Sequence, residues 1–490
     1  MFVYSAGHFF KEKYIEVFTL IHQYKNNGYD IVLDVNSGAI HVVDDPTYDM
    51  ISEYEGKPRE TVVSDIVEKY PSETKEDIEE AYDEITALKD QKALFTVDPY
   101  ENRVIDYTKR PTVVKAMCLN VAHACNLSCR YCFADEGLYF GKKAELMSFD
   151  VGKAALDFLI ANSGHRRNLE VDFFGGEPTL NFDVVKQLVA YGRQREKETD
   201  KHFRFTFTTN GILLNDEIMD FANKEMDNVV MSIDGRKEVH DHMRPFHNGD
   251  PTWDVIVPKY QKFAAQREAL GKQYYVRGTY TRYNLDFAND ILAMADLGFR
   301  QISIEPVVAP PEADYSLRKE DIPILEEQYD ILAKEMVKRH GTDQEFNFFH
   351  FMIDLEGGPC VYKRLSGCGS GTEYVSVTPD GSIFPCHQFV GKPDFKIGDV
   401  WKGIERQDIV TEFKGCNVYS RPKCRECFAR FYCSGGCTAN AYNFTGNLRD
   451  VYEIGCALEK KRIECAIMIK AACADKDAQT ESSEKSEKTA

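Results

Sequence analysis

Three cysteines, Cys125, Cys129 and Cys132, are spaced three and then two residues apart. Thiolates at that spacing can hold three irons of a cubane cluster and leave the fourth iron open, as a catalytic zinc keeps a position that a structural zinc fills. Zinc completed by His123 would use the same thiols; the β–α setting described below favours iron. A second set lies further on: Cys368, then Gly381 after twelve intervening residues and Cys386 after four more, then Cys424-x2-Cys427-x5-Cys433-x3-Cys437, and finally Cys456. A zinc ribbon would take Cys424, Cys427, Cys433 and Cys437 and leave Cys368, Cys386 and Cys456 idle. Cys118, Cys416, Cys465 and Cys473 belong to no motif and read as buried thiols.

The first triad follows one of six apolar runs, VVKAMCLNV, LEVDFF, FRFTFT, VVMSI, YYVRGTY and QISIEPV, which alternate with amphipathic stretches between 113 and 307. Repeated β–α units in one direction predict parallel strands with helical crossovers, hence an α/β fold with a partial (β/α)6 TIM-like barrel and chemistry on the loops after the strands. Polar or glycine-rich positions end several strands: Gly175, Gly176, Glu177 and Pro178 after the second, Thr208, Thr209 and Asn210 at the third, Ser232 and Asp234 at the fourth, with Arg277 inside the fifth. His240, Asp241 and Arg244 follow the fourth strand and receive no role.

Residues 16–98 form a different unit. The turns Asn26-Asn27-Gly28 and Asn36-Ser37-Gly38 separate three strand-like runs, and two helical patterns follow, the second opening at Thr74 with Asp77 three residues on and Ile78, Tyr82, Ile85 and Leu88 along one face. That order suits a winged helix, but the segment carries 7 Lys and Arg against 20 Asp and Glu, a net charge of −13, and would repel DNA. Residues 308–358 read as a helix-prone bridge, 359–466 as a separate cysteine-rich domain, and the polar tail 474–490 as disordered.

The whole chain of 490 residues has a formal charge of −19. Neither nucleic acid nor an anionic membrane is an expected partner. With no export signal at its start and no long apolar span, the chain is expected to be cytoplasmic, where fifteen cysteines suit metal ligation better than disulfides.

The Cys125/Cys129/Cys132 triad with Tyr131 before its last cysteine, together with Gly175-Gly176-Glu177-Pro178, resembles the radical S-adenosylmethionine superfamily. The resemblance implies S-adenosylmethionine and a [4Fe–4S] cluster as cofactors, an outside reducing electron donor, and a 5′-deoxyadenosyl radical that takes hydrogen from substrate. It also implies that Gly175, Gly176 and Glu177 receive the methionine ammonium, that Thr208, Asn210, Ser232 and Asp234 contact the methionine and ribose, and that Arg277 pairs with the carboxylate. The later cysteines resemble a SPASM domain with two auxiliary [4Fe–4S] clusters, Cys424, Cys427, Cys433 and Cys456 closing one while Cys368, Cys386 and Cys437 hold three irons of the other. Its fourth iron is capped by Cys360 or open. The acidic N-terminal unit is similar to leader-peptide recognition domains, to which a peptide adds a strand; a plain packing domain is the alternative.

The run GGPCVYKRLSGCGSG and much of the remaining chain resemble the maturases of six-cysteine (SCIFF) peptides. That implies thioether crosslinking, cysteine sulfur to carbon, in a cysteine-rich precursor peptide with a leader. Anaerobic sulfatase maturation to formylglycine is the alternative within the superfamily, and an iron–sulfur scaffold or electron-transfer protein is the alternative outside it.

Overall fold

The computed structural model describes residues 19–100, 106–139, 143–355 and 360–489. Residues 16–18 of the expected N-terminal domain and Gly357, Gly358 and Pro359 ahead of Cys360 lie outside the described residues. The chain forms two compact units, one built from most of the segment before residue 105 and the other running from Asp106 onward.

In the first unit the strands β1 (Ile21–Asn26), β2 (Tyr29–Asp34) and β3 (Ile40–Val43) form a sheet in that order. Asn27 (φ 48°) and Gly28 (φ 89°) supply the two left-handed positions that a two-residue hairpin turn requires. Three helices follow rather than the two expected: α1 (Asp45–Glu53), α2 (Arg59–Lys69) and α3 (Lys75–Asp90). Pro58 disfavours helical backbone in the residue before it and separates the first two. The Thr74 hydroxyl accepts from the Asp77 amide at 3.1 Å, capping α3 at the predicted residue. Ile78 and Ile85 are buried with Val32, Met50, Val62 and Ile66, while Tyr82 and Leu88 pack alongside.

The second unit is built on a parallel sheet. Strand β4 (Ala116–His123) carries the short antiparallel β5 (Glu145–Leu146), and helix α4 (Phe149–Asn162) leads to β6 (Asn168–Gly175). Then come α5 (Phe182–Glu198), β7 (His202–Thr209), α6 (Asp216–Glu225), β8 (Asn228–Ser232), α7 (Lys237–Met243), α8 (Trp253–Ala269), β9 (Gln273–Tyr280), α9 (Phe287–Asp296) and β10 (Gln301–Pro306). The six strands β4, β6, β7, β8, β9 and β10 are parallel neighbours in that order, as the alternation predicted. Successive strand side chains point to opposite faces. Leu169, Val171, Phe173, Phe203, Phe205 and Phe207 are buried, and Phe173 stacks on Phe205 at 5.6 Å. The intervening positions, among them Asp172 and Thr208, belong to the other face.

Two features depart from the expected layout. The cysteine-rich region is not detached: β12 (Tyr374–Val377) pairs in parallel with β4, and the Asn120 amide donates to Ser376 Oγ at 2.8 Å. The sheet continues through β13 (Ser382–Phe384), β14 (Gly398–Asp399) and β15 (Gly403–Ile404), while β11 (Asn347–Phe348), from the expected bridge, adds to β10 at the far edge. The tail, expected to be disordered, continues the helix Glu453–Thr489. A composition poor in apolar residues excludes a core; it does not exclude a solvated helix rich in Ala, Lys, Glu and Gln.

Candidate functional site

Cys125, Cys129 and Cys132 occupy the loop after β4, at the end of the strands where β–α sheets place chemistry. Two glycines let this loop approach the next one. A Cβ on Gly175 (φ +135°) would stand 2.3 Å from the Ala122 carbonyl oxygen, and one on Gly176 would stand 2.2 Å from that of Ala124 and 3.1 Å from Cys125 Cβ. No side chain fits at either position. The Gly176 and Glu177 amides donate to the Ala122 and Ala124 carbonyls at 2.8 Å each, fixing the β6 turn against the triad loop.

The other side of the loop is closed by the segment after α7. Ser128 N donates to Pro245 O and Arg130 N to Met243 O, both at 3.0 Å, and Leu127 bridges Phe246. Burial pushes the Cys125 and Cys129 thiols up to about 12, so ligation there releases protons.

The strand-end residues divide into those turned toward this loop and those used to brace it. Asn210 is buried, and its side-chain amide donates to Asn126 Oδ1 at 2.8 Å and reaches Cys125 Sγ at 3.6 Å. Glu177 is 1% exposed, and its carboxylate accepts from Thr179 N (3.0 Å), Thr179 Oγ1 (2.6 Å), Thr209 Oγ1 (2.9 Å) and Asn210 N (2.7 Å). Three of these donors meet Oε1 and one meets Oε2, so the carboxylate is tied to the strand ends mainly through Oε1.

Asp234 is likewise fully buried. It accepts from Tyr131 Oη at 2.6 Å and Thr279 N at 2.9 Å, and pairs with Arg244 Nε at 3.0 Å. It ties the residue beside Cys132 to the end of β8 and brings in Arg244, to which the sequence gave no role; Arg244 also lies 5.4 Å from the Tyr131 ring. Ser232 and Arg277 are register partners across β8 and β9. Arg277 pairs loosely with Glu305 at 3.6 Å and remains half exposed. Thr208 Oγ1 lies 3.4 Å from Asp172, whose carboxyl burial pushes up to about 7.

The later cysteines fall into two groups. Cys424, Cys427, Cys433 and Cys456 line one cavity of about 580 Å³. Burial raises the Cys456 thiol to about 11, with further contributions from Cys424 and Cys427. Cys386 is buried, and its thiol is raised first by that burial and further by nearby Cys437 and Cys368, both surface residues. Cys360 is exposed and precedes the short helix Val361–Ser366.

Among the described residues no three His, Cys, Asp or Glu side chains converge on a point as a single metal ion requires. A cubane distributes its thiolates over separate irons, and the Cys424 group surrounds a cavity in that manner. The donor set, all sulfur, suits iron–sulfur chemistry. Cys118, Cys416 and Cys465 are buried, as expected for unligated thiols, and Cys473 is half-buried.

Residues 119–257 match the Radical SAM superfamily. The match runs from β4 into α8 and contains the triad. An uncharacterized protein of Methanocaldococcus jannaschii is 34% identical over 149 residues, 30% of this chain and 48% of that protein, so the alignment spans about half of the relative. A cysteine-type anaerobic sulfatase-maturating enzyme of Clostridium novyi is 24% identical over 345 residues, 66% of this chain and 88% of the enzyme.

Two solved structures share the fold. Native anSMEcpe with bound AdoMet and Cp18Cys peptide has a TM-score of 0.59 at 17% identity, covering 74% of this chain and 99% of that one. Streptococcus suis SuiB bound to precursor peptide SuiA has a TM-score of 0.50 at 15% identity, covering 88% and 97%. Among the described residues no helix is long and apolar enough to cross a membrane.

Proposed function

We propose that this chain is a radical S-adenosylmethionine enzyme that forms thioether bonds in a cysteine-rich precursor peptide. The observation that supports the reading is a cavity lined by Cys424, Cys427, Cys433 and Cys456 on the same compact unit as the triad, with Cys368, Cys386 and Cys437 left to form a second group. A group of three thiols leaves one iron position for a substrate thiolate.

When bound, a reduced cluster at Cys125, Cys129 and Cys132 supplies the electron that cleaves S-adenosylmethionine to a 5′-deoxyadenosyl radical. The chain's part is positioning. The Gly175–Gly176 backbone and Asn210 face the triad loop, with Thr208, Ser232 and Arg277 further along the strand ends. Glu177 and Asp234 hold that loop in place from behind. In the N-terminal unit β3 is an edge strand of an acidic domain, suited to receiving a leader as an added strand. The fold shared with SuiB in complex with a precursor peptide supports a peptide substrate.

The second reading, sulfatase maturation, is supported by the Clostridium novyi relative. Incubating the anaerobically reconstituted enzyme with S-adenosylmethionine, a reductant and a cysteine-rich precursor separates the two. The peptide should lose two hydrogens per crosslink and keep a sulfur that resists alkylation, measured by mass spectrometry. A hydrazide-reactive aldehyde on a sulfatase peptide, with no change in the precursor, would instead select the second reading. A scaffold would release no 5′-deoxyadenosine.

A further inference from the structure

Arg421 is 2% exposed, among the most deeply buried large side chains of the molecule. Its guanidinium meets only neutral acceptors: Nη1 donates to Gly435 O and lies 3.4 Å from Gly436 O, and Nη2 donates to Thr438 Oγ1 and Leu448 O at 3.0 Å each. Nε is buried with no hydrogen-bond partner. Among the described residues no carboxylate pairs with it. Arg267, likewise buried, meets backbone carbonyls with all three of its guanidinium nitrogens, whereas Arg421 leaves Nε unmet; arginine does not deprotonate in proteins, so an anion near this group completes the site.

Its position says which anion. The chain passes from one cysteine group to the other along Cys433-Ser434-Gly435-Gly436-Cys437, and Arg421 grips the two glycine carbonyls of that crossing. Gly435 (φ +90°) makes room for it, since a Cβ there would lie 2.9 Å from Nη1. Arg421 precedes Cys424 by three residues.

We infer that Arg421 is the counter-cation shared by two thiolate-bound iron–sulfur clusters, one at Cys424, Cys427, Cys433 and Cys456 and the other at Cys368, Cys386 and Cys437. The inference rests on the cluster reading above and adds a residue that sets their potentials. Thiolate-ligated cubanes carry net negative charge, and a fixed positive charge between them stabilises the reduced form and raises the reduction potential. Arg421 is a positioning residue and takes no part in bond making.

The test compares the reconstituted full-length chain with R421K and R421Q, reading iron content and the cluster potentials by spectroscopic redox titration. R421K should keep wild-type iron and auxiliary potentials close to wild type. R421Q should shift the auxiliary potentials negative and leave the Cys125/Cys129/Cys132 cluster unmoved, or lose auxiliary iron that R421K retains. Unchanged potentials in iron-replete R421Q, or iron loss in R421K equal to or greater than in R421Q, would overturn the role of the charge. Wild-type iron of about four per chain, in place of about twelve for three cubanes, would remove the clusters themselves and so marks failure of the underlying reading.

Discussion

The radical SAM triad and the later cysteines sit on one compact unit but are held in opposite ways. The triad loop rests on the ends of parallel strands whose helix-facing side is packed with Leu169, Val171, Phe173 and Phe205, and its polar braces are two buried carboxylates, Glu177 and Asp234. The later cysteines sit on turns and helices of four residues, Pro422–Arg425 and Arg430–Cys433, around a cavity of about 580 Å³, with a buried arginine as their brace. The first site has a hydrophobic core of its own beneath it. The second has an aromatic cluster of Phe389, Phe395 and Phe413 and, besides it, a cysteine-lined cavity whose occupant would add folding energy. The braces thus differ in sign, carboxylates at the triad and a guanidinium at the later cysteines.

The first effect that follows is a split response to iron removal. Chelating the iron anaerobically should lower hydrogen-exchange protection between 416 and 456 on the order of 100-fold, about 2.7 kcal/mol, while amides of β6, β7 and β9 keep theirs. Equal loss in both regions would break the contrast.

A pH effect should appear in the barrel at His240, and buried His387 beside the later cysteines, also pulled down to about 4, should add its own. His240 is fully buried: Nδ1 lies 3.3 Å from the Asp234 amide, which donates to it, and Nε2 lies 3.0 Å from Thr252 Oγ1. That arrangement holds the ring neutral, and burial pulls its pKa down to about 4. The unfolded chain takes up this proton near pH 6.5, so between about 6.5 and 4 it binds more protons than the folded chain. Stability therefore falls as pH drops through that window, by on the order of 3 kcal/mol from this group. Denaturant unfolding at pH 7 and 4.5, with barrel amides as the probe, should show the drop in wild type and a smaller one in H240Q. An equal slope in the two proteins would remove His240 as its source.

A smaller effect is expected at Glu177. Replacing it with Gln puts an amide donor against Thr and backbone donors and should cost about 1–3 kcal/mol of barrel stability in the same assay. Loss of 5′-deoxyadenosine formation without loss of stability would mean that the carboxylate faces the cofactor after all.

The difference between the two regions also governs what could be read from the sequence. All six parallel strands were legible because each is a short apolar run between amphipathic helices, and the Thr74 cap because its chemistry is local. The bracing contacts of Glu177 and Asp234 were not legible. A carboxylate at a strand end looks the same in sequence whether it turns to a ligand or inward, and only the four donors around Glu177 decide. Arg244 and Arg421 gave no signal, since their partners lie on loops distant in sequence or on backbone carbonyls. Charge and composition suggested a detached cysteine domain and a disordered tail; the parallel pairing of β12 with β4 joins the first to the barrel, and helix propensity orders the second.

The smallest expected effect concerns Cys360. It is the one cysteine near the three-thiol group in sequence that the resemblance leaves unassigned, and it is exposed at the start of the helix Val361–Ser366, whereas Cys386 is buried. If the three-thiol group keeps a position for substrate, Cys360→Ala should retain iron at about twelve per chain and unchanged crosslinking, while Cys386→Ala should lose iron and abolish crosslinks. Iron analysis beside peptide mass spectrometry reads both. Loss of about four irons in C360A would make that group a second closed site like its neighbour, and the distinction between the two auxiliary groups would disappear.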